Sequence, residues 1–333
     1  MDLTTRYLGL GLRNPLIASA SPLSGDIGSL RRLEDAGIAA VVLPSLFEEQ
    51  IRHDDAAIEA MFSASADSSP EASGYFVAAL DYNGGPTGYL DLVRRAVTAL
   101  DIPVIASLNG TTATNWIDHA ILIEQAGAAA LELNIYRIAD QLTTTGAAVE
   151  AEYVALVRAV RARVRIPLAV KLHPHVSAFG DLAHRLDAAG ADGLVLFNRL
   201  YLPDIDLARL RWHTPIGLSR PEEMRLGLHW LSVLAGRLPH TSLAAGTGVE
   251  TGEDIVKYLL AGADAVMTAS SLLRNGASHA RTLIDGLHAW LERRHFRSVA
   301  AITGLMRAHG SADRIAAEQR GTYIHALLNF PTP

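Results

Sequence analysis

Apolar residues in this 333-residue chain fall into short runs, each followed by a longer stretch with one apolar face. The clearest example is Ser242–Leu273. Leu243–Ala245 reads as a buried strand that ends at Gly246-Thr247-Gly248. Thr251 then suits a helix N-cap, with Glu253 and Asp254 in the first turn, where negative charge complements the helix dipole. Ile255, Leu259 and Leu260 give that helix its apolar face, and Gly262 ends it. Ala265–Met267 is a second buried strand, and Ala269-Ser270-Ser271 opens another turn.

The same phrase recurs along the chain. Ala36-Gly37-Ile38 precedes the run Ala39–Leu43, Ala126-Gly127-Ala128 precedes Ala130–Leu133, and Ala189-Gly190-Ala191 precedes Gly193–Phe197. Each is a helix end, a glycine cap and an apolar strand, which is half of a repeating βα unit. Ile102-Pro103 and Ile166-Pro167 begin two more strands. With Leu16–Ala18 the count reaches eight, and eight strand–helix units predict an α/β protein of the (β/α)8 barrel type. An open sheet or a ninth strand stays open at this point, because strand boundaries are read loosely from sequence.

Four segments lie outside the repeat, and two of them interrupt it. Leu3–Leu12 alternates around Gly9 and predicts a small N-terminal hairpin. Insertions of about 47–87 and 199–218 follow the second and sixth strands, on the face where barrel enzymes carry their sites. They read equally as substrate walls and as decoration. A tail of about 298–333 carries a helical pattern and is expected to pack outside the barrel. The whole chain, 1–333, reads as one domain.

Composition narrows the classes. Net charge of −6 gives no basis for nucleic-acid binding. The absence of cysteine excludes disulfides, thiolate chemistry and cysteine-held metal clusters. No basic-then-apolar leader and no apolar run long enough for a membrane span is present, so a cytoplasmic protein without membrane contact is expected.

Candidate chemistry lies at the strand ends. Two successive strands ending in small residues, at Gly246–Gly248 and Ala269-Ser270, place backbone N–H groups side by side and predict a phosphate cradle. Plain tight turns are the alternative. Lys171 sits in the apolar strand Leu168–Leu172, where an ammonium needs a counter-charge or an electron-rich ligand. Glu132 lies two residues before Asn134 and shares its direction, so it is expected to be structural and to pair with Lys171. Ser45, Asn109, Asn134 and Asn198 are the other polar strand ends. His173 and His175 have no third ligand nearby, so no metal is expected. Arg137 and Thr143–Thr145 fall in the loop after the fourth strand and are placed either to meet a substrate or to face solvent.

Glu132-Leu133-Asn134, Val170-Lys171-Leu172-His173-Pro174, Gly246–Gly252 and Leu260–Ala263 resemble the class 1 dihydroorotate dehydrogenase family of flavin barrels, and more closely its bacterial dihydroorotate dehydrogenase-like branch. The resemblance runs from Asn14-Pro15 to about Leu291. It implies FMN, a homodimer and, as the family default, oxidation of dihydroorotate to orotate in pyrimidine biosynthesis. It implies that Ala20, Ser21, Ser45, Asn134, Lys171, Gly248, Ala269 and Ser270 contact the cofactor, with Lys171 at the N1/O2 edge of the flavin. Asn83 and Asn198 are the implied substrate residues, and Lys171, Asn134 and Arg137 occupy the catalytic positions.

Arg137 stands where the family has a cysteine or serine base, and arginine stays protonated. Pro44, Ala139 and Thr247 also depart from the family pattern. Three readings follow: an FMN oxidoreductase, a flavin-free phosphate-binding lyase or isomerase, and a non-catalytic flavin-binding homologue.

Overall fold

The structure, a computed structural model, describes residues 1–51, 84–110, 113–137, 139, 141–199, 203–213, 217–310 and 312–330. Residues 52–83, most of the 47–87 insertion, and with them Asn83, lie outside these residues.

The chain opens with a hairpin, β1 (Thr5–Tyr7) and β2 (Leu10–Leu12), turned by Leu8-Gly9. Then come β3 (Leu16–Ala18), α1 (Ile27–Asp35), β4 (Ala40–Phe47), α2 (Gly85–Ala99) and β5 (Val104–Gly110). Next are α3 (Ala113–Gln125), β6 (Ala130–Ile135), α4 (Gly146–Arg161), β7 (Leu168–Leu172), α5 (Phe179–Ala188) and β8 (Gly193–Leu196). A second hairpin, β9 (Asp204–Asp206) and β10 (Arg211–His213), forms part of the 199–218 insertion. Then follow α6 (Met224–Leu234), β11 (Ser242–Ala245), α7 (Gly252–Ala261) and β12 (Ala265–Thr268). The chain ends with α8 (Ser270–Asn275), α9 (His279–Arg293) and α10 (Ala312–Leu328).

The eight predicted strands form a closed parallel barrel in the order β11-β12-β3-β4-β5-β6-β7-β8. The repeating glycine is the device that returns each helix to the sheet. Gly37, Gly127, Gly190 and Gly262 all have φ between +93° and +112°, where a side chain would be strained. Thr251 caps α7 as expected, its hydroxyl accepting from the Asp254 amide.

Period-two alternation divides the barrel into two cores. Leu16, Val41, Leu131, Val170 and Leu194 face outward and pack with the helices. Ile17, Val42, Ile105, Ala169, Val195 and Met267 face inward, and the N-terminal hairpin closes that interior with Tyr7, Leu8 and Leu12. Gly193 makes room for the plug, since a Cβ there would stand 2.5 Å from Leu8 Cδ2. Burying each plug leucine contributes roughly 2 kcal/mol. Sealing the lower end confines openings of the interior to the upper rim.

Two boundaries differ from the sequence expectation. β4 runs on through Pro44 and Ser45 to Phe47, with a register shift between Val42 and Ser45 that accommodates the proline. Ser45 is therefore inside a strand. In the tail, Val299 and Ile302 are buried in turns, and the amides of Gly304 and Met306 bond the carbonyls of Leu259 and Leu260. Helix begins only at Ala312, and α10 is largely exposed. Among the described residues, no helix is long and apolar enough to cross a membrane.

Candidate active site

Lys171 is the one charged side chain on β7, and its strand places it at the upper rim of the barrel beside Asn134 of β6. Its Nζ donates to Ser19 Oγ at 3.3 Å and stands 3.6 Å from Glu132 Oε1. The Lys171 side chain is 12% exposed and that of Glu132 is fully buried. The expected Glu132–Lys171 pairing is therefore present. Neither carboxylate oxygen of Glu132 has a hydrogen-bond partner.

Above Lys171 opens a cavity of about 370 Å3, within the usual range for small-molecule sites. Its wall includes Ala20 and Ser21 after β3, Asn198 after β8, Gly248 after β11, and Ala269 and Ser270 after β12. The structure thus brings together seven of the predicted site residues, Lys171 included. Ser45, Asn134 and Arg137 are not part of this wall. Ser45 is bonded instead to Ser107 within the barrel wall, Oγ to Oγ at 2.8 Å.

The glycine turn is held from several sides. Gly246 and Thr247 expose their carbonyls to the Tyr258 hydroxyl, 2.8 Å from each. Thr247 adopts φ +79° without being glycine, and its hydroxyl donates to the Phe197 carbonyl at 3.1 Å. Gly248, at φ +76°, has no room for a side chain: a Cβ would meet the Arg220 carbonyl at 2.7 Å. Its N–H donates to Ser219 Oγ at 3.0 Å, and Ser219 Oγ donates to Ser270 Oγ at 2.9 Å. Ser219 so joins the two halves of the predicted cradle. Beside it, the N-terminus of α8 carries no side-chain cap.

Ser219 follows the 199–218 insertion, whose described ends are tied down. Arg199 forms a bidentate pair with Glu223 and also reaches the Gly217 carbonyl. Arg274 bonds the Ser219 carbonyl and pairs with Glu250. A second cavity of about 300 Å3 shares Phe197, Asn198 and Thr247 with the first and adds His175 and Glu223. Ser219, Tyr258 and the Arg199–Glu223 pair were missed in the sequence because their partners lie between 11 and 51 residues away.

The substrate-side positions divide. Asn198 Nδ2 donates to Asn134 Oδ1 at 2.7 Å, so the two predicted asparagines act as a unit. Arg137 is turned to Glu152 of α4 in an ion pair. Thr145 caps α4 by accepting from the Ala148 amide, and Thr144 bonds Gln141. His173 accepts the His175 N–H at Nδ1, which leaves its ring proton on Nε2, facing the Tyr153 hydroxyl at 3.0 Å. Burial, reinforced by His175, pushes the His173 ring below the ordinary imidazole value, and burial pushes Tyr153 up to about 12. Among the described residues no three His, Cys, Asp or Glu side chains gather as a metal site.

Comparison with known proteins gives one consistent likeness. Residues 82–291 match the sequence model of the dihydroorotate dehydrogenase family. The chain is 26% identical to the catalytic subunit of dihydroorotate dehydrogenase B (NAD(+)) of Thermoplasma acidophilum, over 91% of this chain and 98% of that protein. The protein of the same name from Pyrococcus furiosus is 28% identical over 92% and 99% of the two chains. That from Desulforudis audaxviator is 31% identical over 66% and 72%.

Proposed function

The chain belongs to the dihydroorotate dehydrogenase family, and from that premise we propose that it is an FMN-dependent oxidoreductase acting on a CH–CH bond of a dihydropyrimidine-like ring. Oxidation of dihydroorotate to orotate, a step of pyrimidine synthesis, is the default assignment. The observation that carries the reading is the placement of Lys171: a single ammonium aimed into a cavity whose far side is an uncapped, glycine-lined anion cradle.

The residues present fit FMN. Gly248 lines the cavity in a turn that only glycine can make, since a Cβ there would meet Met224 and the Arg220 carbonyl, and backbone amides, serine hydroxyls and a helix N-terminus are the donor set a phosphate monoester takes. Ser219 now holds the Gly248 amide and Ser270, so it is positioned to pass those bonds to a phosphate or to add its own. Lys171 offers positive charge to the electron-rich edge of an isoalloxazine. Bound there, FMN supplies a two-electron acceptor.

Asn198 and Asn134 present a matched edge. With their mutual bond made, the Asn198 oxygen and the Asn134 nitrogen stay available, one acceptor and one donor, for the N–H and C=O of a ring amide. Arg137 has no base to offer, and its pairing to Glu152 suits charge balance in the loop after β6. Anaerobic addition of dihydroorotate to the flavin-loaded protein tests the substrate. Bleaching of the flavin band supports it; a flavin that stays oxidised removes dihydroorotate and leaves another ring amide as substrate.

A further inference from the structure

Glu132 is an unusual occupant of its position. Its register partners on the adjacent strands are Ser107 and Ala169, both buried, and Ser107 Oγ is bonded to Ser45 rather than to the carboxylate. The side chain is wholly buried, and neither oxygen accepts a hydrogen bond. The Tyr7 hydroxyl, from the plug, is likewise buried and unpartnered. Burial, with the charges of Glu132 and Asp264 adding to it, pushes that hydroxyl well above the ordinary phenol value. A carboxylate stripped of water and of donors costs several kcal/mol, and among the described residues the Lys171 ammonium at 3.6 Å is its one ion-pair compensation. Apolar residues of similar volume usually serve stability as well as a buried pair does or better. Stability therefore does not account for Glu132, whereas a function of Lys171 does.

We propose that Glu132 is a positioning residue for Lys171 and attenuates its charge, so that the flavin edge meets a nearly neutral Lys171–Glu132 pair rather than a full positive charge. The inference rests on the FMN reading above. Lys171 has two anchors, Ser19 Oγ above and Glu132 below, and together they fix the height of the ammonium in the barrel. Because Lys171 lines the cavity, removing the Glu132 charge lets its field toward the cavity grow.

Sulfite reads this field. It adds through sulfur to flavin N5, and the electron pair moves to the N1/O2 edge, so positive potential there strengthens the adduct. In the FMN-loaded protein, Glu132→Gln tightens sulfite binding about tenfold, an effect of the size expected for one partly screened charge. Lys171→Met weakens it by at least as much. Glu132→Asp, which keeps the charge, stays within about threefold of the parent. In the apoprotein, melting of the two single variants and of the Glu132→Gln/Lys171→Met double variant shows strong coupling, with the double more stable than either single.

A Glu132→Gln protein that binds FMN but holds sulfite with unchanged affinity overturns the proposal. Weaker sulfite binding overturns it too, because Glu132 would then not attenuate the charge that the flavin edge meets. If Glu132→Gln does not fold, the double variant carries the test: against Lys171→Met it tightens sulfite binding, and equal affinities overturn the proposal. Failure of the parent protein to bind FMN removes the function and this inference together, whereas bound FMN with unmoved sulfite affinity removes the inference alone.

Discussion

The rim of this barrel is built in two ways. On one side, Ser219 joins Gly248 and Ser270 through hydrogen bonds of 3.0 and 2.9 Å, and Lys171 is held between Ser19 and Glu132. On the other, the loop after β6 turns its charged residue, Arg137, to Glu152 of α4. The first arrangement is fixed before any ligand arrives. The second depends on loop side chains. The difference teaches that the two halves are specified differently: the barrel architecture builds the half proposed to hold the cofactor, while the half proposed to meet the substrate rests on loop side chains.

The largest test of that contrast is Lys171→Ala. It leaves Glu132 buried without its cation and costs the apoprotein about 3–5 kcal/mol in urea titration. It also lowers FMN retention. Unchanged stability and unchanged flavin content would remove Lys171 from the fixed half of the site. Next is Gly248→Ala, which forces a side chain against the Arg220 carbonyl at φ +76°. We expect a loss of about 2–3 kcal/mol in FMN affinity, on the order of a hundredfold, read by fluorescence titration. Equal affinity would show that the cradle is not where the phosphate sits.

The pH dependence is smaller. His173 has its folded value held below the unfolded one near 6.5, so the unfolded chain binds the proton first. Its contribution to stability is present above that value and is lost as pH falls below it. His173→Gln should flatten the dependence of Tm on pH below about 6.5. An unchanged slope would mean that the ring takes up its proton without cost. The smallest effect is Arg137→Ala. Its pair with the half-exposed Glu152 contributes less than about 1 kcal/mol. Stability and FMN content should both hold, and any effect should appear in substrate affinity. Loss of FMN in this variant would erase the distinction between the two halves.

Much of the fixed half was legible in the sequence because it is local. The glycine phrase Gly246–Gly248, the Thr251 cap and the four recurring αL glycines each rest on contacts within a few residues. A lysine inside an apolar strand is conspicuous for the same reason: one residue breaks a short pattern. Ser219 was not legible, since its role comes from Gly248 and Ser270, brought together only by barrel closure. Ser45 looked like a strand end because Pro44 precedes it, yet β4 absorbs the proline through a register shift. The helical pattern of the tail was right for 312–328 but extended too far back, over turns held by the end of α7.

The most direct measurement is the visible absorption spectrum of the purified protein, with the released cofactor identified after denaturation. The account predicts a flavin spectrum and FMN in the supernatant, or FMN taken up on incubation. A colourless protein that binds no FMN but does bind a phosphorylated metabolite would contradict it, and would make the site that of a flavin-free lyase or isomerase.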